Sequence, residues 1–265
     1  MKLKYFSFII LAFFCARSHA QRLPNKQSRS LLAPHSPSID GNLAEWQNKF
    51  QAFNKSTELF YTLSNDDMNL YLVIRSGDPL IARKMLHGIT FSLSTNVKQV
   101  GTAAPSFTFP LIDWKVRSPI LSAVGKQTGA KTKDREVPSD SLINAINLQL
   151  NQVAKIKTTG LANSRDTVTF IKNSKIIKAV GKFDKEFAFT YEFAVPLKQL
   201  GQKGNTFLYN VKLNGSNPNA AVSSDGTATI NADGRGIPVV LTVSPNELTV
   251  QLPTDFTAEY TLIRK

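Results

Sequence analysis

Residues 38–46 read SIDGNLAEW and residues 191–197 read YEFAVPL, and these two distant stretches decide the predicted fold. In the first, Gly41 permits a turn that a side chain would obstruct, and Trp46 is large enough to close one end of a sandwich. In the second, Glu192 lies in a strand-like run, where it would pair with a buried cation or cap a loop. Both stretches therefore indicate structural roles.

The rest of the chain reads as short strands separated by turn formers. Residues 59–64 and 70–75 are β-rich runs that predict a hairpin. Residues 207–213 alternate strongly, and a further strand signal covers residues 143–153. A mild helical pattern covers residues 80–86, and residues 195–201 read as one turn of helix closed by Gly201. We predict an all-β protein, an antiparallel β-sandwich of the jelly-roll type with one or two short helices.

The first twenty residues have the three parts of a secretory signal: a basic start, an apolar run over 6–15 and a small-residue site ending at Ala20. We predict a signal peptide over 1–20 and a secreted or periplasmic protein. The alternative is a lipoprotein signal using Cys15, but bulky Phe14 stands where a small residue is normally required. No segment is apolar enough over the roughly twenty residues of a bilayer crossing, so no transmembrane segment is predicted.

Shifts in composition divide the chain beyond Ala20 into two parts. Residues 21–37 are polar, carry prolines and lack periodicity, which predicts a flexible tether. Residues 38–265 are predicted to form a single β-sandwich domain, with a flexible excursion near 117–141. Cys15 is the only cysteine, so the stability of the exported chain must come from its core.

The chain is basic, with 32 Lys and Arg against 19 Asp and Glu. Its lysines recur singly between apolar residues, as in Lys172, Lys175 and Lys178, a pattern typical of solvated strand faces. A nucleic-acid binder would concentrate this charge in a stripe, so no nucleic-acid partner is predicted. Adhesion to an acidic polysaccharide, to lipopolysaccharide or to an anionic membrane surface remains an alternative.

Three landmarks carry a resemblance to a known family. They are Ile39-Asp40-Gly41 with Trp46, Asn65-Asp66-Asp67 before Leu70-Tyr71, and Tyr191-Glu192 before Val195-Pro196-Leu197. In this order they resemble the carbohydrate-binding module family 9-like domains of the wider DOMON-like group. The resemblance implies a β-sandwich that binds sugars without catalysis.

Sugar binding on a β-scaffold requires an exposed aromatic platform with polar groups beside it. The best candidate is Trp114, with Asp113 and Arg117 beside it in a segment that reads as a loop. Packing of Trp114 under that loop is the alternative. The resemblance implies a clamp of two tryptophans, but this chain has only Trp46 and Trp114, and Trp46 occupies a structural landmark.

Two other ligands are considered. Calcium would use the hard oxygens of the hairpin turn or of a polar loop over 214–233; the turn residues are Asn65, Asp66, Asp67 and Asn69, with Asp78 nearby. Haem would need a Met and a His ligand, as in some DOMON relatives, and only Met68 with His87 is geometrically open. We predict no cofactor.

No catalytic motif is found: there is no nucleophile elbow, no histidine pair with metal-ligand spacing and no phosphate-binding loop. The leading hypothesis is a non-catalytic module that binds a glycan or glycoconjugate through Trp114, Asp113 and Arg117. The second hypothesis is a cell-envelope protein that binds another envelope protein through its sheet edge or basic face. The third is a haem-binding carrier.

Overall fold

The computed structural model describes residues 22–94, 104–126, 138–161, 165–201, 204–217, 221–222, 228–231, 238–241 and 245–264. From residue 221 to residue 241 only the backbone of the strands is described. The predicted signal peptide, with Cys15, lies outside the described residues. Among the described residues, none of the helices combines the length and the apolar character that a bilayer crossing requires.

Strands dominate the described residues. In chain order they are β1 (Ala52–Asn54), β2 (Leu59–Asn65), β3 (Asn69–Ser76), β4 (Ile89–Ser94), β5 (Ser106–Leu111), β6 (Lys155–Thr159), β7 (Thr167–Phe170), β8 (Lys178–Phe183), β9 (Phe189–Pro196), β10 (Thr206–Leu213), β11 (Ala221–Val222), β12 (Ala228–Asn231), β13 (Pro238–Leu241) and β14 (Thr254–Thr261). The helices are α1 (Pro79–Met85), α2 (Trp114–Gly125), α3 (Asp140–Val153) and α4 (Pro245–Gln251). Short 3-10 turns cover Ile171–Asn173 and Leu197–Gln199.

The strands form two large antiparallel sheets. One has five strands in the order β1-β2-β3-β9-β8, and the other has six in the order β14-β10-β4-β5-β6-β7. A third sheet, β11-β12-β13, has three short strands. The central pair β3 and β9 is in register over all eight residues, from Asn69 opposite Pro196 to Ser76 opposite Phe189.

The core lies between the two large sheets. Phe193 of β9 contacts Phe91 of β4 and Phe107 of β5, with ring centres 5.8 and 4.9 Å apart. These rings are fully buried, which gives the apolar contribution that a chain without disulfides requires. The predicted antiparallel β-sandwich is confirmed.

Helices are more numerous than predicted, and two of them fall where other structure was expected. Residues 143–153, predicted as a strand, belong to α3, in which Ile143, Ile146 and Leu150 form a buried face at helical spacing. The hydroxyl of Ser139 accepts from the amide of Leu142 and so caps the start of this helix. Part of the excursion predicted near 117–141 is also helical, because residues 117–125 belong to α2. Residues 127–137 lie outside the described residues.

The segment predicted as a flexible tether, residues 21–37, makes specific contacts with the sandwich. The Gln27 side chain is buried, accepts from the amide of Leu63 and donates to the carbonyl of Leu63, both at 2.8 Å. Leu32 forms a parallel bridge with Asn65. A polar sequence without periodicity can thus still be held by side-chain hydrogen bonds to a sheet edge, while the flexible tether stays a prediction.

The two landmark stretches meet in the five-stranded sheet. Glu192 of β9 is fully buried and accepts three hydrogen bonds: from the amides of Asp40 at 3.0 Å and Gly41 at 2.6 Å, and from Trp46 Nε1 at 2.8 Å. Gly41 has φ +78°, and a Cβ there would lie 2.7 Å from Lys182 Cβ. Glu192 therefore caps the entry loop, as one of its two predicted structural roles required.

Candidate functional site

The three predicted site residues lie together where β5 leads into α2. Asp113 is the N-terminal cap residue, a position that favours aspartate, although its side chain makes no capping hydrogen bond. Trp114 is the first helical residue, and 63% of its surface is exposed. The segment predicted as a loop is thus the first turn of a helix. Because burial of a tryptophan ring is favourable, exposure of this extent leaves an unusually large apolar surface in contact with water.

Arg117 lies on the same face of α2 as Trp114, because it follows Trp114 by three positions in the helix. Its guanidinium carbon is 5.9 Å from the centre of the indole ring, a cation–π contact. The Nε of Arg117 is buried and has no hydrogen-bond partner within the described part of the chain. Asp113 acts on Arg117 electrostatically, but the ion pairs found among the described residues do not include this arginine.

A second aromatic ring, Phe170 of β7, lies close to the same residues. It is 38% exposed, and Lys155 Nζ and Lys172 Nζ are 5.2 and 5.7 Å from its centre. The same Lys155 Nζ is 3.2 Å from Asp113 Oδ2, so one ammonium group contacts both Phe170 and the residue that precedes Trp114. We call this surface the Trp114 corner; it consists of Asp113, Trp114, Arg117, Lys155, Phe170 and Lys172.

Strand register explains how distant residues reach the corner. Leu111 at the end of β5 is opposite Lys155 of β6, and Lys155 is opposite Phe170 at the end of β7. Neighbouring strands are about 4.8 Å apart, so these three residues form one row across the sheet. Asp113 and Trp114 follow Leu111 closely in the chain and therefore lie at the end of that row.

Two arginines act on a histidine beside the Trp114 corner. The charges of Arg117 and Arg83 act on the imidazole of His87, which follows α1. Burial lowers the pKa of His87 to about 4, and the charges of the two arginines contribute to this shift. His87 is therefore neutral at neutral pH.

The outer face of the six-stranded sheet also carries a groove of about 330 Å³. Hydroxyl and amide side chains on β4, β5, β6, β10 and β14 line it, among them Thr90, Ser92, Ser106, Thr159, Asn210 and Thr257. Such a lining offers hydrogen-bond partners. The described groove contains no exposed aromatic ring, so it offers less stacking surface than the Trp114 corner does.

The hairpin turn considered for calcium uses its oxygens within the protein. Asp66 Oδ1 accepts from the amides of Met68 and Asn69, and Asp66 Oδ2 accepts from the hydroxyl of Tyr71, all at 2.7 Å. These bonds form an Asx-type turn. Across the described residues, no group of three or more His, Cys, Asp and Glu side chains is arranged to hold a metal ion. Asp225 and Asp233 of the second candidate loop lie outside the described residues.

The two candidate haem ligands lie in different connections. Met68 belongs to the turn before β3, whereas His87 lies beyond the other end of that strand, after α1. An eight-residue strand is about 26 Å long, and Met68 is 67% exposed in its turn. The fold therefore gives no support to a shared iron site.

The fold and the corner define an antiparallel β-sandwich protein with an exposed aromatic and cationic surface. No family model matches the chain, and no curated protein matches it. Among solved structures, it is similar to a carbohydrate binding module family 9 from Caldicellulosiruptor kristjanssonii in complex with glucose, at 12% identity and a TM-score of 0.37, over 89% of this chain and 97% of that chain. It is also similar to a carbohydrate binding module family 9 from the same organism in complex with cellotriose, at 10% identity and a TM-score of 0.36, over 89% of this chain and 95% of that chain. Similarity at this level identifies neither a ligand nor the residues that would bind it.

Proposed function

We propose that the protein is a secreted or periplasmic, non-catalytic glycan-binding module whose ligand stacks on Trp114. The observation that supports this most directly is the 63% exposed indole ring, with a guanidinium over the ring and a carboxylate next to it. Export is inferred from the signal-like residues 1–20. The ligand is a glycan or glycoconjugate, in keeping with the sequence-based hypothesis.

Each part of the corner suits a sugar. A pyranose has an apolar C–H face that packs on an aromatic ring, and its hydroxyls need donors and acceptors at the ring edge. Asp113, whose side chain is 77% exposed, supplies acceptors, and Lys155 supplies donors. A shallow site of this kind binds in the millimolar to micromolar range, about −4 to −8 kcal/mol.

The test is a glycan array followed by titration of the best ligand. Trp114→Ala is expected to abolish measurable binding, and Trp114→Phe to retain part of it, because a smaller ring keeps some stacking. Met68→Ala is the matched control, since Met68 is 67% exposed and lies in the turn between β2 and β3 of the five-stranded sheet. The proposal fails if no glycan binds, or if Trp114→Ala and Met68→Ala bind equally well.

A second candidate function is suggested by β7, the last strand of the six-stranded sheet. Val168 is 57% exposed on this edge strand, and Phe170 is 38% exposed. An edge with unpaired backbone groups and apolar side chains favours strand addition by another protein. Val168→Lys should abolish the binding of an envelope protein to this edge, whereas glycan binding should persist.

A further inference from the structure

Cations outnumber carboxylates in direct contact with the two rings of the Trp114 corner. Arg117 lies over Trp114, and Lys155 and Lys172 lie over Phe170. The contacting carboxylate is Asp113, which pairs with Lys155 at 3.2 Å. Within the described part of the chain, no ion pair of Arg117 or Lys172 is found. Two of the three cations are therefore not neutralised by contact with a described carboxylate.

We infer that the ligand of this corner is an acidic polysaccharide, with sugar rings on Trp114 and Phe170 and with its carboxylates or sulfates on Arg117 and Lys172. This inference rests on the proposed function and names its substrate class. A guanidinium presents a planar set of donors that matches a carboxylate or a sulfate with two hydrogen bonds. A lysine ammonium is a point charge that needs less exact geometry.

A neutral glycan would use the corner less well. Its hydroxyls would displace water from the two unpaired cations, Arg117 and Lys172, without returning an opposite charge, and desolvation of a charge is unfavourable unless the charge is paired. An acidic glycan supplies a charge for each uncompensated cation and keeps the stacking contribution. Lys155 remains paired with Asp113 and in contact with Phe170.

An anionic membrane would require different features. Lipid surfaces recruit clusters of four to eight basic residues or an amphipathic helix with a broad apolar face. The corner instead has two exposed rings with three cations and one carboxylate, fewer basic residues than such clusters contain. The observed mixture of rings, cations and one acceptor fits a chain of acidic sugars better.

The experiment compares two glycans of the same sugar and length: an oligogalacturonate and its fully methyl-esterified, neutral form. The purified protein is expected to bind the acidic form about tenfold more tightly at low salt, since two exposed ion pairs contribute about threefold each. Raising the salt from about 0.01 to about 0.1 M shortens the screening length from about 30 to about 10 Å, which should reduce this preference. Titration with a sulfated dextran in a third arm of the experiment tests whether the corner binds sulfate groups as well as carboxylates.

Variants test whether Lys172 contributes to the preference for the acidic form. Lys172→Gln is expected to weaken binding of the acidic form about threefold and to leave binding of the esterified form unchanged. Lys198→Gln is the control, because Lys198 is an exposed lysine in the 3-10 turn after β9, in the other sheet. Each variant is compared by thermal unfolding, so that a folding defect is recognised.

The outcomes separate the two proposals. Equal affinity for the acidic and esterified forms, with both lost on Trp114→Ala, overturns the acidic ligand and keeps glycan binding. Absence of binding to either form and to the sulfated dextran overturns the acidic ligand, and it overturns glycan binding itself when the glycan array also shows no binding. Binding to phosphatidylserine vesicles that Lys172→Gln weakens, without binding to soluble glycans, would identify a membrane surface instead and overturn the inference.

Discussion

The two tryptophans of this chain have opposite surroundings. Trp46 is 6% exposed, and its Nε1 donates to the buried carboxylate of Glu192. Trp114 is 63% exposed, and the guanidinium of Arg117 lies over its ring. The same residue type thus completes a buried hydrogen-bond network at one place and remains in contact with water at another.

The difference separates stability from binding. Around Trp46, the carboxylate of Glu192 satisfies three donors, so these groups already have partners within the fold. At the Trp114 corner, most of an apolar ring stays in contact with water, and the ion pairs among the described residues do not include Arg117. Groups that the fold leaves without partners are the ones that a ligand can use. The comparison predicts that changes near Trp46 affect unfolding, whereas changes near Trp114 affect binding.

The largest expected effect is that of Glu192→Ala. This substitution leaves two backbone amides and the indole nitrogen without their acceptor and creates a cavity in a fully buried position. Buried polar groups without partners cost about 1–3 kcal/mol each. We expect the free energy of unfolding, measured by urea denaturation, to fall by about 3–5 kcal/mol.

Glu186→Ala provides the control, because Glu186 is exposed in the connection between β8 and β9. It should change the free energy of unfolding by no more than about 0.5 kcal/mol. Similar losses for both variants would mean that the hydrogen-bond network around Trp46 contributes little to stability.

An intermediate effect is expected from pH, through His87 beside the Trp114 corner. The folded-state pKa is about 4 and the ordinary value is 6.5, so the unfolded chain takes up a proton first as the pH falls. Stability should therefore decrease as the pH falls from 6.5 to about 4 and should be unaffected by His87 above this range. Arg83 and Arg117 are the charged groups that act on the imidazole.

Unfolding curves of wild type and His87→Gln across this pH range isolate the contribution. His87→Gln should reduce the loss of stability at acidic pH, whereas His35→Gln, at an exposed position, should leave the wild-type profile unchanged. If the two variants show the same profile, burial and the two arginines do not lower the pKa of His87 in the folded protein.

Local sequence predicted the parts of the fold that depend on local chemistry. The hairpin of β2 and β3 was predictable because turn formers separate two β-rich runs, and the landmark stretches pointed to a common structural role. The helix α3 was missed because isoleucine and valine favour strands in isolation. Its Ser139 cap and the spacing of Ile143, Ile146 and Leu150 were the signals for a helix.

The candidate site shows the same limit. Asp113, Trp114 and Arg117 lie within five residues, so their proximity could be predicted from the sequence. Lys155 and Phe170 join them only because β5, β6 and β7 are neighbours in one sheet. No local pattern predicts which strands pair, so the sequence indicates only a solvated strand face for Lys172.

The smallest expected effect on stability is that of Trp114→Ala, and it is the sharpest test of the comparison. Its ring is mostly exposed and lies at the first position of α2, where alanine is at least as good a helix former. The free energy of unfolding should change by no more than about 0.5 kcal/mol. Trp46→Ala, the matched variant, should lose about 3–5 kcal/mol, because it removes a buried ring and one donor to Glu192. A loss above about 1 kcal/mol for Trp114→Ala would show that the indole packs against the fold and would remove the main support for a ligand at this corner.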